Sequence, residues 1–349
     1  MINLKFIMKN VMNHYAQKAS YYLENPICHP TMIHFAPTLR CNLRCRYCSI
    51  WKESWKEEIS LEEWKMFLNK LHEWVGDAHI GITGGEPLLR KDIFEILEHM
   101  RKLGLKTSFT TNGTLLNEKV IKKLSNSDIF NINVSLESAQ KELHDFFRGN
   151  GNFKKTFDNL LKLREELNEN NSKTLLVVET ILTSKNLDTA IELLKLCEKN
   201  KMKVHFGNIV ENLQINYTGD FKAESEYKPK NNKNIDKIFS YLIKNKTNIL
   251  NSTSELNMIK DYYKNRKIDF KCFANVRTLF ISSNGDVKLC QYTQPIGNIK
   301  EDNIKKIWLS ERANKQRKFI KECKKICQFD CYKKRSLYEE YEMYKGLYC

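Results

Sequence analysis

Three cysteines near the start of the chain have a spacing that suits a metal cluster. Cys41, Cys45 and Cys48 form a C-x3-C-x2-C pattern. Three thiolates on one loop bind three irons of a cubane cluster, whose usual complete set is four cysteines. A missing fourth protein ligand leaves one iron open to a substrate or cofactor. Zinc is the alternative, but structural zinc sites favour C-x2-C pairs closed to four ligands. No nearby Cys or His completes such a set here, because His34 is on the preceding predicted strand.

The other cysteines of the chain, which has eleven in total, are placed unevenly. Six lie in the C-terminal part: Cys272, Cys290, Cys323, Cys327, Cys331 and Cys349. The first residues, interrupted by Lys5 and Lys9, lack the apolar stretch of a secretory signal. We therefore expect a cytoplasmic, reducing location with free or metal-bound thiols instead of disulfides. Cys197, among leucines, is predicted to be a small buried hydrophobe.

The chain is basic, with 58 Lys and Arg against 42 Asp and Glu and a formal net charge of +16. Such charge suits a polyanionic partner, or else it accompanies the abundant Lys, Asn and Ile of an A/T-rich coding sequence. Because no block of five like charges occurs, we interpret the excess as spread over the surface and expect no nucleic-acid partner. The chain also lacks an apolar run long enough to predict a transmembrane segment.

Strand-like and helix-like segments alternate from residue 31 onward. The predicted strands cover residues 31–36, 79–83, 105–111, 129–135, 175–182 and 203–210. Ser60 and Glu63 form a capping box that opens the first intervening helix. Six strand–helix units imply parallel strands with right-handed crossovers, two units short of a closed barrel. The predicted fold is α/β: a partial (β/α)6 TIM-like barrel with a smaller C-terminal α+β domain.

Four chemically suggestive positions follow four different predicted strands. They are Cys41, Gly84, Asn112 and Ser135. In barrels and open parallel sheets alike, functional groups gather at the carboxyl ends of the strands. The sequence therefore predicts one site that these four segments share.

The C-terminal region has its own pattern. Apolar runs at 277–282 and 287–291 flank Asn284-Gly285, which predicts a β-hairpin, and residues 303–322 predict one helix. We divide the chain into an N-terminal helical extension (1–30), the barrel (31–215), a linker and helical region (216–265) and a C-terminal domain (266–349).

The cysteine loop gains meaning from its neighbours. Together with Gly84-Gly85-Glu86-Pro87 it resembles the radical S-adenosylmethionine (SAM) superfamily, and Thr111-Asn112-Gly113, Val134-Ser135-Leu136-Glu137 and Arg148-Gly149 are similar to further segments of that superfamily. The resemblance implies a [4Fe–4S] cluster on the three cysteines, whose open iron binds the amino and carboxylate groups of SAM. Reductive cleavage of SAM then gives a 5′-deoxyadenosyl radical.

The same resemblance implies a set of cofactor contacts. Gly84 and Gly85 allow close backbone approach, the Glu86 carboxylate suits the SAM ammonium group, and Tyr47 meets the adenine. Ser135 and Arg148 resemble the ribose and carboxylate contacts. The implied cofactor-binding set is Tyr47, Gly84, Gly85, Glu86, Asn112, Ser135 and Arg148. His144 is instead expected on a helix surface.

The C-terminal cysteines resemble a SPASM domain, or its shorter Twitch form, which binds auxiliary iron–sulfur clusters. The full pattern has seven cysteines and two clusters, whereas this chain has six. We therefore expect one auxiliary [4Fe–4S] cluster, and the presence of a second auxiliary cluster is left as an alternative. The expected ligands are Cys272, Cys290, Cys331 and either Cys323 or Cys327, and a second cluster would use Cys323, Cys327 and Cys349.

Substrate and partners follow less directly. Sulfatase-maturing relatives carry an aspartate base where this chain has Gln291, which cannot accept the proton. Only 40 residues precede Cys41, too few for a leader-binding domain. We expect hydrogen abstraction from a ribosomal peptide or protein, or alternatively from a small molecule or lipid precursor, with ferredoxin or flavodoxin as electron donor. A non-catalytic iron–sulfur electron carrier and a zinc-dependent nucleic-acid binder are the more distant alternatives.

Overall fold

A computed structural model describes residues 4–23, 26–53, 57–76, 78–209, 226–230, 232–266, 271–323, 327 and 336–337. Its strands belong to one sheet. They are β1 (Met32–Phe35), β2 (His79–Ile82), β3 (Lys106–Thr111), β4 (Asn131–Ser135), β5 (Leu175–Leu182), β6 (Lys203–Asn208), β7 (Thr278–Ile281), β8 (Asp286–Lys288) and β9 (Gly297–Asn298). Their order in the sheet is β6-β5-β4-β3-β2-β1-β7-β8-β9.

The helices alternate with the first six strands and then follow them. They are α1 (Leu4–Leu23), α2 (Leu61–Val75), α3 (Ile93–Lys102), α4 (Glu118–Ser125), α5 (Lys141–Arg148), α6 (Asn152–Glu169), α7 (Ala190–Lys199), α8 (Ile235–Lys244), α9 (Thr253–Tyr263), α10 (Ala274–Arg277), α11 (Ile304–Leu309) and α12 (Glu311–Glu322). In the described ranges, no helix combines the length and the apolar character that crossing a membrane would require.

Strands β1 to β6 pair side by side in parallel, as the alternation of the sequence predicts. Helices cover their outer face, so the strand residues that point to the helices are buried, as Ile33, Phe35 and Ile80 are. The predicted capping box is present: the Ser60 hydroxyl accepts from the Glu63 amide, and Glu63 accepts from the Ser60 amide. Helix α2 therefore begins where the capping box predicts, and its apolar face, which includes Trp64, is buried.

The C-terminal strands extend the barrel sheet. Strand β7 pairs in parallel with β1, and β8 and β9 add to it antiparallel, so the hairpin prediction at Asn284-Gly285 is confirmed. The single helix predicted over residues 303–322 is wrong. Ser310 ends α11 and begins α12, because its backbone is extended and its side chain accepts from the Ala313 amide. The linker and helical region contains α8 and α9, while residues 210–225 lie outside the described part.

Candidate active site

The cysteine loop follows β1 and lines a cavity to which all six parallel strands contribute residues, from Met32 and His79 at strand starts to Ser135 and Asn208 at strand ends. The cavity has a volume of about 430 Å³, and Cys41, Cys45 and Cys48 all line it. Helix α5 holds the loop from the side: the Arg46 amide donates to the Phe147 carbonyl at 3.0 Å, and Arg46 Nε donates to the Phe146 carbonyl at 2.7 Å. The loop is thereby fixed at both its strand and its helix side.

Gly84 and Gly85 lie against the segment that leads into the cysteine loop. The Gly85 amide donates to the Thr38 carbonyl at 3.0 Å, and the Glu86 amide donates to the Arg40 carbonyl at 2.7 Å. A Cβ atom on Gly85 would lie 2.1 Å from the Arg40 carbonyl oxygen, and one on Gly84 would lie 2.5 Å from that of Thr38. Gly84 also has a φ of +117°, which favours glycine. The two glycines therefore allow the backbone contact that positions the loop.

Glu86 is buried and ties together neighbouring strand ends. Its carboxylate accepts from the Thr111 hydroxyl and the Asn112 amide, each at 2.8 Å, and from the Leu88 amide at 3.2 Å. Burial raises the pKa of Glu86 to about 7, although these donors oppose the shift. Asn112 Nδ2 in turn donates to Asn42 Oδ1 at 2.9 Å, inside the cysteine loop. Glu86 and Asn112 thus connect β3 to the loop, and the Glu86 contact to SAM stays a prediction.

A second buried carboxylate organises the opposite side of the loop. Glu137 accepts from the Tyr47 hydroxyl at 2.5 Å and from Arg148 Nε at 2.7 Å. Arg148 Nη2 also donates to the Tyr47 oxygen at 2.9 Å. Burial raises the pKa of Tyr47 well above its usual value, so the hydroxyl stays protonated. Tyr47, Arg148 and Ser135 all line the cavity.

The wall of the cavity formed by β5, β6 and α9 carries a different set of polar groups. His205 Nδ1 lies 2.7 Å from Glu179 Oε1, and both side chains line the cavity with Asn251 and Glu255. His34, on β1, also lines the cavity. Burial lowers the pKa of His34 to about 4, so its imidazole is neutral at pH 7. This wall offers a carboxylate, an imidazole and amides to a substrate.

The three thiols of the loop fit a cluster better than a single ion. Burial raises the pKa of each, that of Cys48 to about 12, and Cys45 adds to the shift at Cys41 and Cys48. Cysteine binds metal as the thiolate, and with these raised pKa values the thiols would stay protonated at neutral pH without a partner. The positive charge of bound metal ions would stabilise the thiolates. Within the described ranges, no three Cys, His, Asp or Glu side chains converge on one metal position. A cubane instead places each cysteine on a different iron.

The C-terminal cysteines form a second group. Burial raises the pKa of the Cys272 thiol, and Cys327, Cys290 and Cys323 lie close enough to raise it further. Both alternatives of the sequence prediction, Cys323 and Cys327, are therefore near Cys272, as Cys290 is. These four thiols match the number that one [4Fe–4S] cluster usually takes. Cys331 and Cys349 lie outside the described residues. Cys290 is held at the end of its hairpin by Thr293, whose hydroxyl donates to the Cys290 carbonyl at 2.6 Å.

The structure adds residues that sequence reasoning missed. Glu137 belongs to a segment that resembles the superfamily, but the sequence alone assigns it no role. Glu179 and His205 have no sequence signal beyond their positions on β5 and β6. The surface assignment of His144 is wrong: it is fully buried and its Nδ1 accepts from the Glu137 amide at 3.2 Å. Burial lowers the pKa of His144 to about 3. Cys197 is buried, as predicted.

Comparison with known families agrees with this geometry. Residues 35–197 match the radical SAM superfamily. Residues 272–332 match SPASM, an iron–sulfur cluster-binding domain. The chain is therefore a radical SAM enzyme with a C-terminal SPASM domain, and its cofactors are SAM and [4Fe–4S] clusters. The non-catalytic and zinc alternatives are set aside.

Two curated relatives carry the same name, AdoMet-dependent heme synthase. The one from Methanosarcina barkeri is 26% identical over 325 residues, which cover 87% of this chain and 89% of that protein. The one from Oleidesulfovibrio alaskensis is 29% identical over 177 residues, which cover 50% of this chain and 43% of that protein.

Solved structures show the same fold. SuiB from Streptococcus suis, bound to S-adenosylmethionine, has a TM-score of 0.68 at 21% identity, over 88% of this chain and 72% of that chain. Native anSMEcpe with bound AdoMet has a TM-score of 0.60 at 17% identity, over 91% and 98%. The partial barrel with C-terminal additions is thus a known architecture, and the fold prediction is confirmed.

Proposed function

We propose that this enzyme abstracts hydrogen from a side chain of a peptide or protein substrate that enters the cavity. The observation that carries the proposal is the cavity itself: the three cysteines of the loop line one side, and the polar wall with Glu179 and His205 lines the other. A substrate group bound at that wall would face the cysteine loop across the space available for SAM.

The size and charge of the cavity favour an inserted side chain over a large polyanion. Its volume of about 430 Å³ lies near the lower end of the roughly 300–1,000 Å³ typical of ligand pockets, and SAM takes a large share of it. Of the lining residues that the structure describes, Arg148 alone carries a permanent positive charge, and Glu137 neutralises it. Glu179 and Glu255 add acidic groups, so carboxylates on a substrate would find little compensation here.

The residues of the loop side serve to bind and orient SAM. When bound, the cluster and SAM supply a 5′-deoxyadenosyl radical. Arg148 offers a guanidinium to the SAM carboxylate, Tyr47 offers its ring to the adenine, and Ser135 offers a hydroxyl to the ribose. Glu137 fixes both Tyr47 and Arg148, so that their positions do not depend on the ligand. The fixed geometry matters because hydrogen abstraction requires close, oriented contact.

The polar wall serves the substrate. The Glu179–His205 pair supplies a proton acceptor next to the substrate position, which an oxidation that loses a proton requires. Cys272, Cys290, Cys323 and Cys327 would hold the auxiliary [4Fe–4S] cluster, and that cluster would supply the acceptor for the electron that such an oxidation releases. The reducing cytoplasm is the compartment that suits these thiol-bound clusters.

A second candidate is oxidation of a heme-like tetrapyrrole. The observation in its favour is the extent of the similarity to the heme synthase of Methanosarcina barkeri, which covers most of both chains. The charge of the described cavity wall speaks against it, because heme carries anionic propionates. The two candidates therefore make different predictions for which added compound increases SAM cleavage.

The test is anaerobic turnover of the enzyme after reconstitution with iron and sulfide, with dithionite and SAM present. 5′-Deoxyadenosine is measured by mass spectrometry in two parallel reactions. One contains a low-molecular-weight peptide fraction from the organism that makes the enzyme, and the other contains a tetracarboxylated iron porphyrin. We expect stimulation by the peptide fraction, its loss after protease treatment of that fraction, and no product from Cys45→Ala. Stimulation by the porphyrin alone would overturn the peptide proposal and establish the second candidate.

A further inference from the structure

Helix α1 is oriented with its polar side toward the protein. Asn13, Gln17 and Ser20 are all buried. Asn13 exchanges two hydrogen bonds with the backbone of His29, at 3.0 and 3.1 Å, and the Ser20 hydroxyl accepts from the Ile27 amide at 3.0 Å. Polar side chains thus attach the helix to the segment that precedes β1.

The opposite side of α1, here called the α1 outer face, is apolar and exposed. Its large side chains are exposed by 36 to 69 per cent, and they are Met8, Val11, Met12, Tyr15, Tyr22 and Leu23. Scattered exposed hydrophobes are ordinary, but a contiguous set on one helix indicates an interaction site. Met8, Met12, Tyr15 and Tyr22 follow the i, i+4, i+7, i+14 spacing of one helical stripe. Methionine-rich surfaces of this kind adapt to a partner's shape.

The C-terminal end of α1 packs against the residue that follows Cys272, one of the four C-terminal cysteines described above. The Tyr21 ring stacks on Phe273 with centroids 4.4 Å apart and planes 6° apart, and Phe273 directly follows Cys272. Burial raises the pKa of Tyr21, and Lys271, Cys272 and Lys321 lie near enough to shift it as well. The α1 outer face ends at Tyr22 and Leu23, which directly follow Tyr21 in the helix, and this end therefore lies near the proposed auxiliary cluster.

The charge around the α1 outer face is basic. The sequence of α1 contains no Asp or Glu. Lys18 Nζ lies 5.4 Å from the Tyr15 ring centroid, and Lys321 Nζ lies 5.9 Å from that of Tyr21. A second copy would bring lysines against lysines with no acidic partner on either helix, which disfavours self-association. An acidic partner is complementary to this surface.

We propose that the α1 outer face docks an acidic one-electron carrier of the ferredoxin or flavodoxin class. The proposal rests on the auxiliary cluster assigned above. One electron passes from the reduced auxiliary cluster to the oxidised carrier, so the cluster returns to its oxidised state and the carrier is reduced by one electron. No bond forms or breaks and no proton moves. A small interface is typical of electron-transfer encounters, and an apolar centre with a polar rim is typical of protein interfaces in general.

Binding of an acidic [2Fe–2S] ferredoxin to the reconstituted enzyme tests the proposal without any substrate. Calorimetric titration at low and high salt gives the affinity, and stopped-flow absorbance gives the rate at which the dithionite-reduced, desalted enzyme reduces ferredoxin. We expect Tyr15→Glu/Leu23→Glu, and separately Lys271→Glu/Lys321→Glu, to weaken binding and slow transfer about tenfold or more. Met66→Glu, at an exposed methionine of α2, should match the parent protein, and iron content should be unchanged in all.

Three results would overturn the proposal. The first is ferredoxin affinity and transfer rate that the α1 variants leave unchanged. The second is a dimer of the parent protein that these variants convert to monomer in light scattering, which would assign the face to a second copy. The third is binding to phosphatidylglycerol vesicles that the variants abolish while ferredoxin binding persists. Because none of these measurements uses a peptide or porphyrin, failure here is separate from failure of the proposed reaction.

Discussion

Replacement of Gly85 by alanine should remove the SAM-binding cluster while the chain stays folded. The new Cβ would lie 2.1 Å from the Arg40 carbonyl oxygen and 2.6 Å from that of Leu39. An ordinary contact between carbon and oxygen is about 3.3 Å, so the backbone must move by roughly 1.2 Å. Both sides of the contact are backbone, and neither can rotate away.

The Gly85→Ala substitution should destabilise the position of the cysteine loop. Overpacking of this kind costs about 1–3 kcal/mol. The two hydrogen bonds of this contact, from Gly85 to Thr38 and from Glu86 to Arg40, contribute about 1 kcal/mol each if they break. The total, about 3–5 kcal/mol, is less than the stability of most domains, about 5–15 kcal/mol. A metal site displaced by about 1 Å, however, no longer holds its cluster.

The assay is iron content together with electron paramagnetic resonance of the reduced protein, with and without SAM. The parent protein should bind about eight irons in two cubanes and the Gly85→Ala variant about four, with the SAM-dependent spectral change lost. Gly104→Ala is the control, because a Cβ there meets nothing within 4 Å although its positive φ also costs stability. A Gly85→Ala protein with full iron and a SAM-dependent spectrum would refute the argument that this contact positions the loop.

Three further predictions concern other parts of the molecule. Cys327→Ser should lose about four irons yet keep the SAM-dependent spectrum, and loss of that spectrum instead would contradict the assignment of the two cysteine groups. Glu137→Gln removes the carboxylate charge beside Arg148 and should lower the free energy of unfolding by about 3 kcal/mol, measured in urea, with weaker SAM binding; an unchanged urea midpoint would speak against it. Burial holds the pKa of His144 at about 3 in the folded state, below its unfolded value of about 6.5. The contribution of His144 to the free energy of unfolding is therefore fully present above about pH 6.5 and is lost as the pH falls below that value. Between pH 7.5 and 5.5 this group should cost about 1.4 kcal/mol, and that share should vanish in His144→Asn; an identical pH slope in the variant would exclude the histidine.

The barrel and the cysteine loop were predictable because their signals are local. The capping box at Ser60 and Glu63, the strand alternation and the Gly84-Gly85 turn each depend on residues close together in sequence. The order of these segments then identified the superfamily. The structure supplies the reason for the glycines, which is the contact between two backbone segments far apart in the chain.

Features that depend on long-range pairing were not predictable in the same way. His144 lies in a polar stretch, and only the tertiary contact with the Glu137 amide makes it a buried residue. The break at Ser310 was hidden because apolar residues continue at helical spacing on both sides of it. The inward polar side of α1 could not be read from its sequence, since the helix has two faces and the choice between them is made by His29 and its neighbours.

The pairing of β7 with β1 has a consequence for how this protein can be divided. Strand β1 leads into the cysteine loop, and the first strand of the C-terminal region covers the outer hydrogen-bonding edge of β1. A chain cut before β7 would leave that edge with unpaired amides and carbonyls and would invite aggregation. The two matched segments are therefore separable in sequence but not in folding, and neither should be expected to work as an exchangeable module. Any chimera that replaces the C-terminal region must supply a strand that pairs with β1.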